Sequence, residues 1–192
     1  MIKWNAKLGK NKEVSEIAVQ FCKLLRQIID NKSEFVTVGY ELGLISAYVN
    51  IQKKRYEQLE VRLELDEEIN NKYIPKLILQ PLVENAIVHG MENKIGSGKI
   101  SISARQKDGY LIFTVVDDGC GMTSEQLNLV RNLKYERKLK SDGMYRIGLS
   151  NIESRAKMYG DESCDLNINS VEGVGTTIIL RLKEITGVET DD

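Results

Sequence analysis

Apolar positions along this chain recur with two different periods. Residues 14–28 and 41–56 carry them at helical spacing, which predicts two helices that pack together as a hairpin. Strict alternation of apolar and polar side chains, which is typical of half-buried strands, occurs in five later segments. These segments are residues 59–66, 99–106, 110–116, 164–170 and 176–183.

Two further helices are predicted between the strands. Residues 78–90 have an apolar face at helical spacing, with Pro75 suited to the first turn and Gly90 at the end. Residues 151–159 form a short amphipathic segment before a glycine. The order of elements predicts an α+β fold, a two-layer α/β sandwich whose mixed sheet has helices on one face and is preceded by a helical segment.

We divide the chain into three parts on this basis. Residues 1–57 are predicted to form the helical region, residues 58–184 the sheet-bearing domain, and residues 185–192 a disordered tail. The net charge of −1 argues against nucleic acid as a partner, because no basic field would attract it. No apolar run approaches the roughly 20 residues of a membrane-spanning helix, so any membrane anchor is expected in N-terminal segments outside this chain.

The helix predicted at residues 78–90 has a polar edge made of Glu84, Asn85 and His89, the only histidine of the chain. Residues one and four apart share a helix surface, so these side chains are expected to lie close together. An amide oxygen suits a hard cation, and an imidazole donates to a phosphate oxygen. Taken alone, a half-buried helix with a satisfied polar rim explains this pattern equally well.

Two glycine-containing segments lie at predicted strand ends. Asp117 follows a buried strand and is succeeded by Gly119, Gly121 and Met122, so a carboxylate stands at the sheet edge where the backbone turns sharply. Such a carboxylate accepts a hydrogen bond from an exocyclic amine such as that of adenine. A second segment, Gly173-Val174-Gly175-Thr176, precedes the last strand. Each segment alone is also explained by an ordinary turn.

Residues 123–147 are long and polar and contain several basic side chains. Loops of this length without structure of their own are functional or disordered. A basic loop that leads into a helix N-terminus at Gly148 suits a lid over phosphates. An ordinary solvated loop remains the alternative.

The order of these segments resembles the ATP-binding domain of the histidine kinase, gyrase and MutL superfamily, the Bergerat fold. Residues 41–55, Ile74–Gly90 and Gly148–Arg155 look more closely like the LytS/YesM-type sensor histidine kinases of bacteria. The resemblance runs from about Phe35 to Lys183 and implies an enzyme that uses ATP and Mg²⁺.

The resemblance implies a role for each matching residue. Asn85 would coordinate Mg²⁺ on the ATP phosphates, Glu84 would order metal-bound water beside it, and both would be catalytic. His89 would approach the phosphates, and Asp117 would accept a hydrogen bond from the adenine amine. The other implied nucleotide contacts are Gly119, Gly121 and Met122 in the adenine pocket, Gly148 and Leu149 at the closing end of the lid, and Gly175 and Thr176 on the base side.

Three features depart from the family pattern. The chain has no Pro-His-Phe-type segment with an acceptor histidine, which implies that the acceptor lies upstream in a longer protein. Val88 stands where many relatives have lysine, and Arg146 replaces a glycine of the lid. Val88 and Arg146 keep one alternative open, a degenerate nucleotide-binding interaction domain. A second alternative is another ATPase module of the superfamily, such as a gyrase or MutL type, against which the helices before Leu59 argue because they resemble the dimerisation region of the kinases.

The resemblance also implies partners and a location. A kinase of this type would form a homodimer as the full-length protein and pass its phosphoryl group to a response regulator. This chain would be the cytoplasmic domain of a protein of the bacterial inner or plasma membrane.

Overall fold

The computed structural model describes residues 11–91, 96–132 and 144–185. The side chains of His89, Met91, Asn132 and residues 144–151 are outside this description.

Two helices open the described chain. Helix α1 spans Asn11–Asp30 and α2 spans Val38–Lys53. Thr37 precedes α2, and its hydroxyl accepts a hydrogen bond from the Tyr40 N–H at 3.1 Å, which caps the helix. The two helices pack against each other through a small buried cluster of Ile17, Leu24, Leu44 and Ile51. The predicted hairpin is therefore confirmed.

Seven strands within the described residues form two sheets. The small sheet pairs β1 (Phe35–Thr37) with β3 (Tyr73–Pro75). The large sheet contains β2 (Leu59–Leu65), β4 (Gly98–Lys107), β5 (Tyr110–Asp117), β6 (Asp165–Val171) and β7 (Gly175–Lys183). Its spatial order is β2-β4-β5-β7-β6, with β2 parallel to β4 and every other pair antiparallel. The predicted mixed five-stranded sheet is confirmed.

Three α-helices accompany the large sheet. Helix α3 spans Gln80–Met91, α4 spans Ser124–Asn132 and α5 spans Met144–Tyr159. A single 3₁₀ turn at Glu67–Ile69 follows β2.

The core lies between the sheet and helices α2, α3 and α5, because most apolar residues of the strands point to that one face. The helices contribute Leu42, Ile45, Val49, Leu82, Val83, Ala86, Ile87, Ile152 and Ala156, and the strands contribute Ile100, Ile102, Ala104, Leu111, Phe113, Val115, Leu166, Ile168, Ile178, Leu180 and Leu182. Helix α2 thus packs against both α1 and the sheet. The domain boundary after residue 57 stays a prediction.

Several local predictions were wrong. Pro75 lies in β3, five residues before α3 begins at Gln80, so it does not occupy the first turn of that helix. The short strands β1 and β3 were not predicted. Ile185 forms an isolated bridge with Tyr73, and the predicted end of the domain at residue 184 stays a prediction. Residues 186–192, the rest of the predicted disordered tail, lie outside the described residues.

Candidate functional site

Helix α3 carries the first group of candidate residues. Its apolar side is buried completely, which fixes the helix against the sheet and turns the opposite edge outward. On that edge Asn85 is 8% exposed, and Glu84 is half-buried with its Oε1 accepting from Gln80 Nε2 at 2.7 Å. The side chain of His89 lies outside the described part of the structure.

Helix α2 adds a tyrosine beside this edge. Burial, together with the negative charge of Glu84, raises the pKa of Tyr48 to about 12. The phenol therefore keeps its proton at neutral pH, and its ring packs against the core cluster to which α3 contributes. Sequence reasoning did not connect Tyr48 with Glu84, because the two residues lie on different helices.

The end of β5 brings Asp117 to the end of α3. Asp117 is only 5% exposed, and its Oδ1 accepts the Gly119 N–H at 2.9 Å. The Cys120 N–H donates to the Gly90 carbonyl at 3.2 Å, which ties the turn after β5 to the last turn of α3. The end of α3 and the Asp117 carboxylate therefore lie next to each other.

The glycines of this turn are required by contacts inside the protein. A Cβ at Gly119 would lie 2.2 Å from the Gly90 carbonyl oxygen, and one at Gly121 would lie 2.0 Å from the Val171 oxygen. A Cβ at Gly175 would lie 2.0 Å from the Asp117 oxygen. In the described structure these glycines let one stretch of backbone approach another.

Ser170 links the two glycine segments and was missed by sequence reasoning. Its hydroxyl accepts the Met122 N–H at 2.9 Å, donates to the Gly175 carbonyl at 3.0 Å and lies 2.9 Å from the Thr176 hydroxyl. Thr176 is 6% exposed and stands directly opposite Asp117 in the β5–β7 ladder. A buried carboxylate and a buried hydroxyl thus face the same side at the strand ends.

The prediction that residues 123–147 have no secondary structure of their own is wrong over the first part, because Ser124–Asn132 is helix α4. Thr123 and Gln126 exchange hydrogen bonds at 3.2 and 2.9 Å, forming a capping box that the T-x-x-Q spacing could have indicated. Arg131 fixes the other end by donating to the Ile168 carbonyl at 2.6 Å. Residues 133–143, the centre of the predicted lid, lie outside the described residues.

The helix after the predicted lid starts earlier than expected. Helix α5 begins at Met144, so Gly148 and Leu149 lie in its second turn and not at its N-terminus. The N–H of Gly148 therefore does not belong to the unpaired N–H groups of the first turn, to which we had assigned phosphate binding.

Neither metal clusters nor membrane spans occur in the described chain. Within residues 11–91, 96–132 and 144–185, no three His, Cys, Asp or Glu side chains come together as a metal site. None of the helices in these ranges is long and apolar enough to span a membrane.

Two family models match the chain. The histidine kinase-, DNA gyrase B- and HSP90-like ATPase model covers residues 70–186, and the histidine kinase model covers residues 1–59. Sensor histidine kinase YesM of Bacillus subtilis is 35% identical over 182 residues, which are 94% of this chain and 30% of YesM. Sensor histidine kinase BtsS of Escherichia coli is 31% identical over 109 residues, which are 56% of this chain and 19% of BtsS. The chain thus spans less than a third of the length of these two relatives.

Solved structures have the same fold at low identity. The histidine kinase domain of a blue-light activated kinase from Erythrobacter litoralis has a TM-score of 0.57 at 17% identity, covering 95% of this chain and 82% of that one. The catalytic domain of histidine kinase ThkA has a TM-score of 0.58 at 17% identity, covering 79% of this chain and 99% of that one. At this identity the likeness concerns the fold alone.

This chain belongs to the histidine kinase-, DNA gyrase B- and HSP90-like ATPase family. The match of residues 1–59 and the named relatives place it with the LytS/YesM-type sensor histidine kinases, of which it is the ATP-binding catalytic domain. The resemblance seen in the sequence and the predicted fold class are both confirmed.

Proposed function

We propose that the full-length protein is a sensor histidine kinase in which this chain binds MgATP and directs the γ-phosphoryl group to a histidine outside residues 1–192. An aspartate of a response regulator would receive the group next. The observation that supports this most is the meeting of α3, which carries Asn85, with the buried pair Asp117 and Thr176 at the ends of β5 and β7. Positioning and charge stabilisation are the main tasks of a protein in phosphoryl transfer.

The base side of the nucleotide is assigned to the strand ends. Asp117 would accept a hydrogen bond from the adenine amine, and Thr176 would complete this side. Gly119, Gly121 and Gly175 allow the strand ends to close on each other, and Met122 follows in the same turn, held by Ser170.

The phosphate side is assigned to α3 and α5. Asn85 would be the protein ligand of Mg²⁺, with Glu84 holding metal-bound water and His89 near the phosphates. One amide and one carboxylate oxygen fit a magnesium ion that keeps most of its ligands from phosphate and water. When bound, the metal would neutralise phosphate charge. Gly148 and Leu149, which lie within α5, would contact the nucleotide at the closing end of the lid.

Replacement of Asn85 by alanine is expected to remove most of the Mg²⁺ dependence of ATP binding, because the Asn85 amide oxygen would be the protein's direct ligand to the metal. Calorimetric titration of ATP with and without Mg²⁺ measures this. Asn50→Ala, the same change on an exposed part of α2, is the matched control and should leave the Mg²⁺ response intact. A wild-type Mg²⁺ response in Asn85→Ala would place the metal elsewhere.

Incubation of this chain with labelled ATP and Mg²⁺ should leave it unlabelled, whereas the full-length protein should acquire an acid-labile label on another histidine. A residue that holds the phosphates from the side cannot attack the γ-phosphorus in line with its leaving group. Stoichiometric label on His89 would overturn its assignment. A full-length protein that binds no nucleotide would instead support a degenerate interaction domain.

A homodimer of the full-length protein is supported by α1. Its side next to the α2 contact exposes Phe21 at 48%, Leu25 at 40% and Ile29 at 70%, at a spacing of four residues. Two hairpins would bury these stripes in a four-helix bundle. Light scattering of the full-length protein tests this, and a monomer at micromolar concentration would contradict it.

We also propose that N-terminal segments outside this chain anchor the protein in the membrane and that this domain faces the cytoplasm, which protease protection in vesicles would test.

A further inference from the structure

Helix α3 begins without a capping residue of its own. The three residues before Gln80 are Leu77, Ile78 and Leu79, none of which has a side-chain acceptor for the unpaired N–H groups of a helix start. Glu41 of α2 supplies the acceptor instead. It is fully buried, and its carboxylate oxygens accept the N–H groups of Leu77 at 2.7 Å, Leu79 at 3.0 Å and Gln80 at 3.4 Å.

The carbonyl side of the same turn is held by α5. Arg155 donates from Nη2 to the Lys76 carbonyl at 2.7 Å and from Nη1 to the Leu77 carbonyl at 3.3 Å. Leu77 has a φ of +58°, a left-handed conformation that is unfavourable for a branched side chain and persists only where its surroundings hold it. Its N–H and its carbonyl are thus held by opposite charges from two different helices.

The turn at residues 76–80 is also joined to α1. The Lys76 ammonium donates to the carbonyl oxygens of Ile28 and Asn31 at the end of that helix. Burial raises the pKa of Glu41, while the three N–H donors and the Arg155 charge act in the opposite direction. The hydrogen bonds of Glu41, Lys76 and Arg155 thus connect this turn with both helices of the hairpin and with α5.

We propose that Glu41 and Arg155 are positioning residues that set the start of α3, and with it the placement of Asn85, relative to the helical hairpin and to α5. Asn85 lies five residues after the first residue of α3, on a helix whose starting turn is fixed by contacts from outside it. Arg155 lies on the same helix as Gly148 and Leu149. A movement of the hairpin would therefore reach the phosphate side of the site through residues 76–80. This inference rests on the proposed nucleotide function and adds residues that contact neither base nor phosphate.

Two variants test the proposal in the full chain. Glu41→Gln replaces one acceptor oxygen by a donor that faces an N–H group. Arg155→Lys keeps the charge but loses the planar pair of donors. Both should weaken MgATP binding by about fivefold or more at a temperature where the protein is folded, the lower end of usual coupling between sites. The double variant should lose less than the product of the single losses, because both residues hold one turn.

Leu111→Ala is the control for a loss of stability alone, because Leu111 is buried at the start of β5, the end of that strand away from Asp117. It should lower the melting temperature and leave the MgATP affinity unchanged, as a merely structural role would. Equal affinity of Glu41→Gln, Arg155→Lys and the wild type would overturn the proposal. If Glu41→Gln does not fold, the half-buried Arg155 still provides the test.

Amide exchange separates this proposal from the nucleotide function. In the nucleotide-free chain, Glu41→Gln should speed exchange both in α3 and in residues 152–156 of α5, whereas Leu111→Ala should not single out these two segments. Faster exchange confined to the first turn of α3 would contradict the proposal. A wild-type chain that binds no ATP would refute the nucleotide function, and the exchange pattern would still decide the positioning role.

Discussion

Replacement of Gly175 by alanine is expected to cost at least about 3 kcal/mol of unfolding free energy, a loss typical of strain at a special backbone conformation combined with overpacking. Gly175 has a φ of +136°, and a Cβ there would lie 2.0 Å from the Asp117 carbonyl oxygen. Real Cβ atoms do not approach an oxygen this closely, so β5 and β7 would have to separate at their ends. Because Asp117 and Thr176 face each other at this point, nucleotide binding should be lost together with stability.

Gly173→Ala is the matched control in the same hairpin. Gly173 also has a positive φ, +75°, but a Cβ there would have nothing within 4 Å. Its cost should be only the left-handed backbone penalty, about 1–2 kcal/mol. Urea unfolding followed by circular dichroism measures both variants. Equal losses would show that the close approach to Asp117 does not matter.

The strands of the large sheet could be predicted from the sequence because only one of their faces is buried. That arrangement produces strict alternation, and β4 was predicted within one residue of both its observed ends. The strands β1 and β3 could not be predicted, because each has three residues and exists through pairing between Phe35 and Pro75 and their neighbours. Such pairing joins residues about forty positions apart and leaves no local period.

The same difference between local motifs and contacts distant in sequence applies to the candidate site. Asp117, Gly119 and Gly175 belong to short local motifs, so each could be singled out from the sequence. The pairing of β5 with β7, which places Asp117 opposite Thr176, could not. Glu41 and Arg155 are separated in sequence by 36 and 78 residues from the backbone atoms of Leu77 that they bind, and no local pattern reports this. The capping box at Thr123 is different, since its signal was local and was overlooked among polar residues.

Replacement of Asp117 by asparagine is expected to weaken ATP binding by about tenfold to hundredfold while the fold is retained. Asparagine keeps an oxygen that accepts the Gly119 N–H, now made at 2.9 Å, so the turn after β5 should survive. Its amide nitrogen would take the place of the other oxygen and present N–H groups to the adenine amine, which is itself a donor. Loss of a charge-assisted hydrogen bond costs about 1.5–3 kcal/mol, which corresponds to this range of affinity.

Calorimetry with ATP and GTP measures this change against the Asp118→Asn variant. Asp118 is the neighbouring carboxylate, and its Oδ1 accepts the Lys99 N–H at 2.7 Å, a bond that asparagine preserves. Both variants remove one negative charge, so a general electrostatic effect would change the ATP affinity of both by a similar factor. If Asp117 contacts adenine directly, only Asp117→Asn should lose affinity for ATP. The ratio of its ATP affinity to its GTP affinity should also fall, because an amide donates to the guanine oxygen. Unchanged ATP affinity in Asp117→Asn would move the adenine contact to another residue.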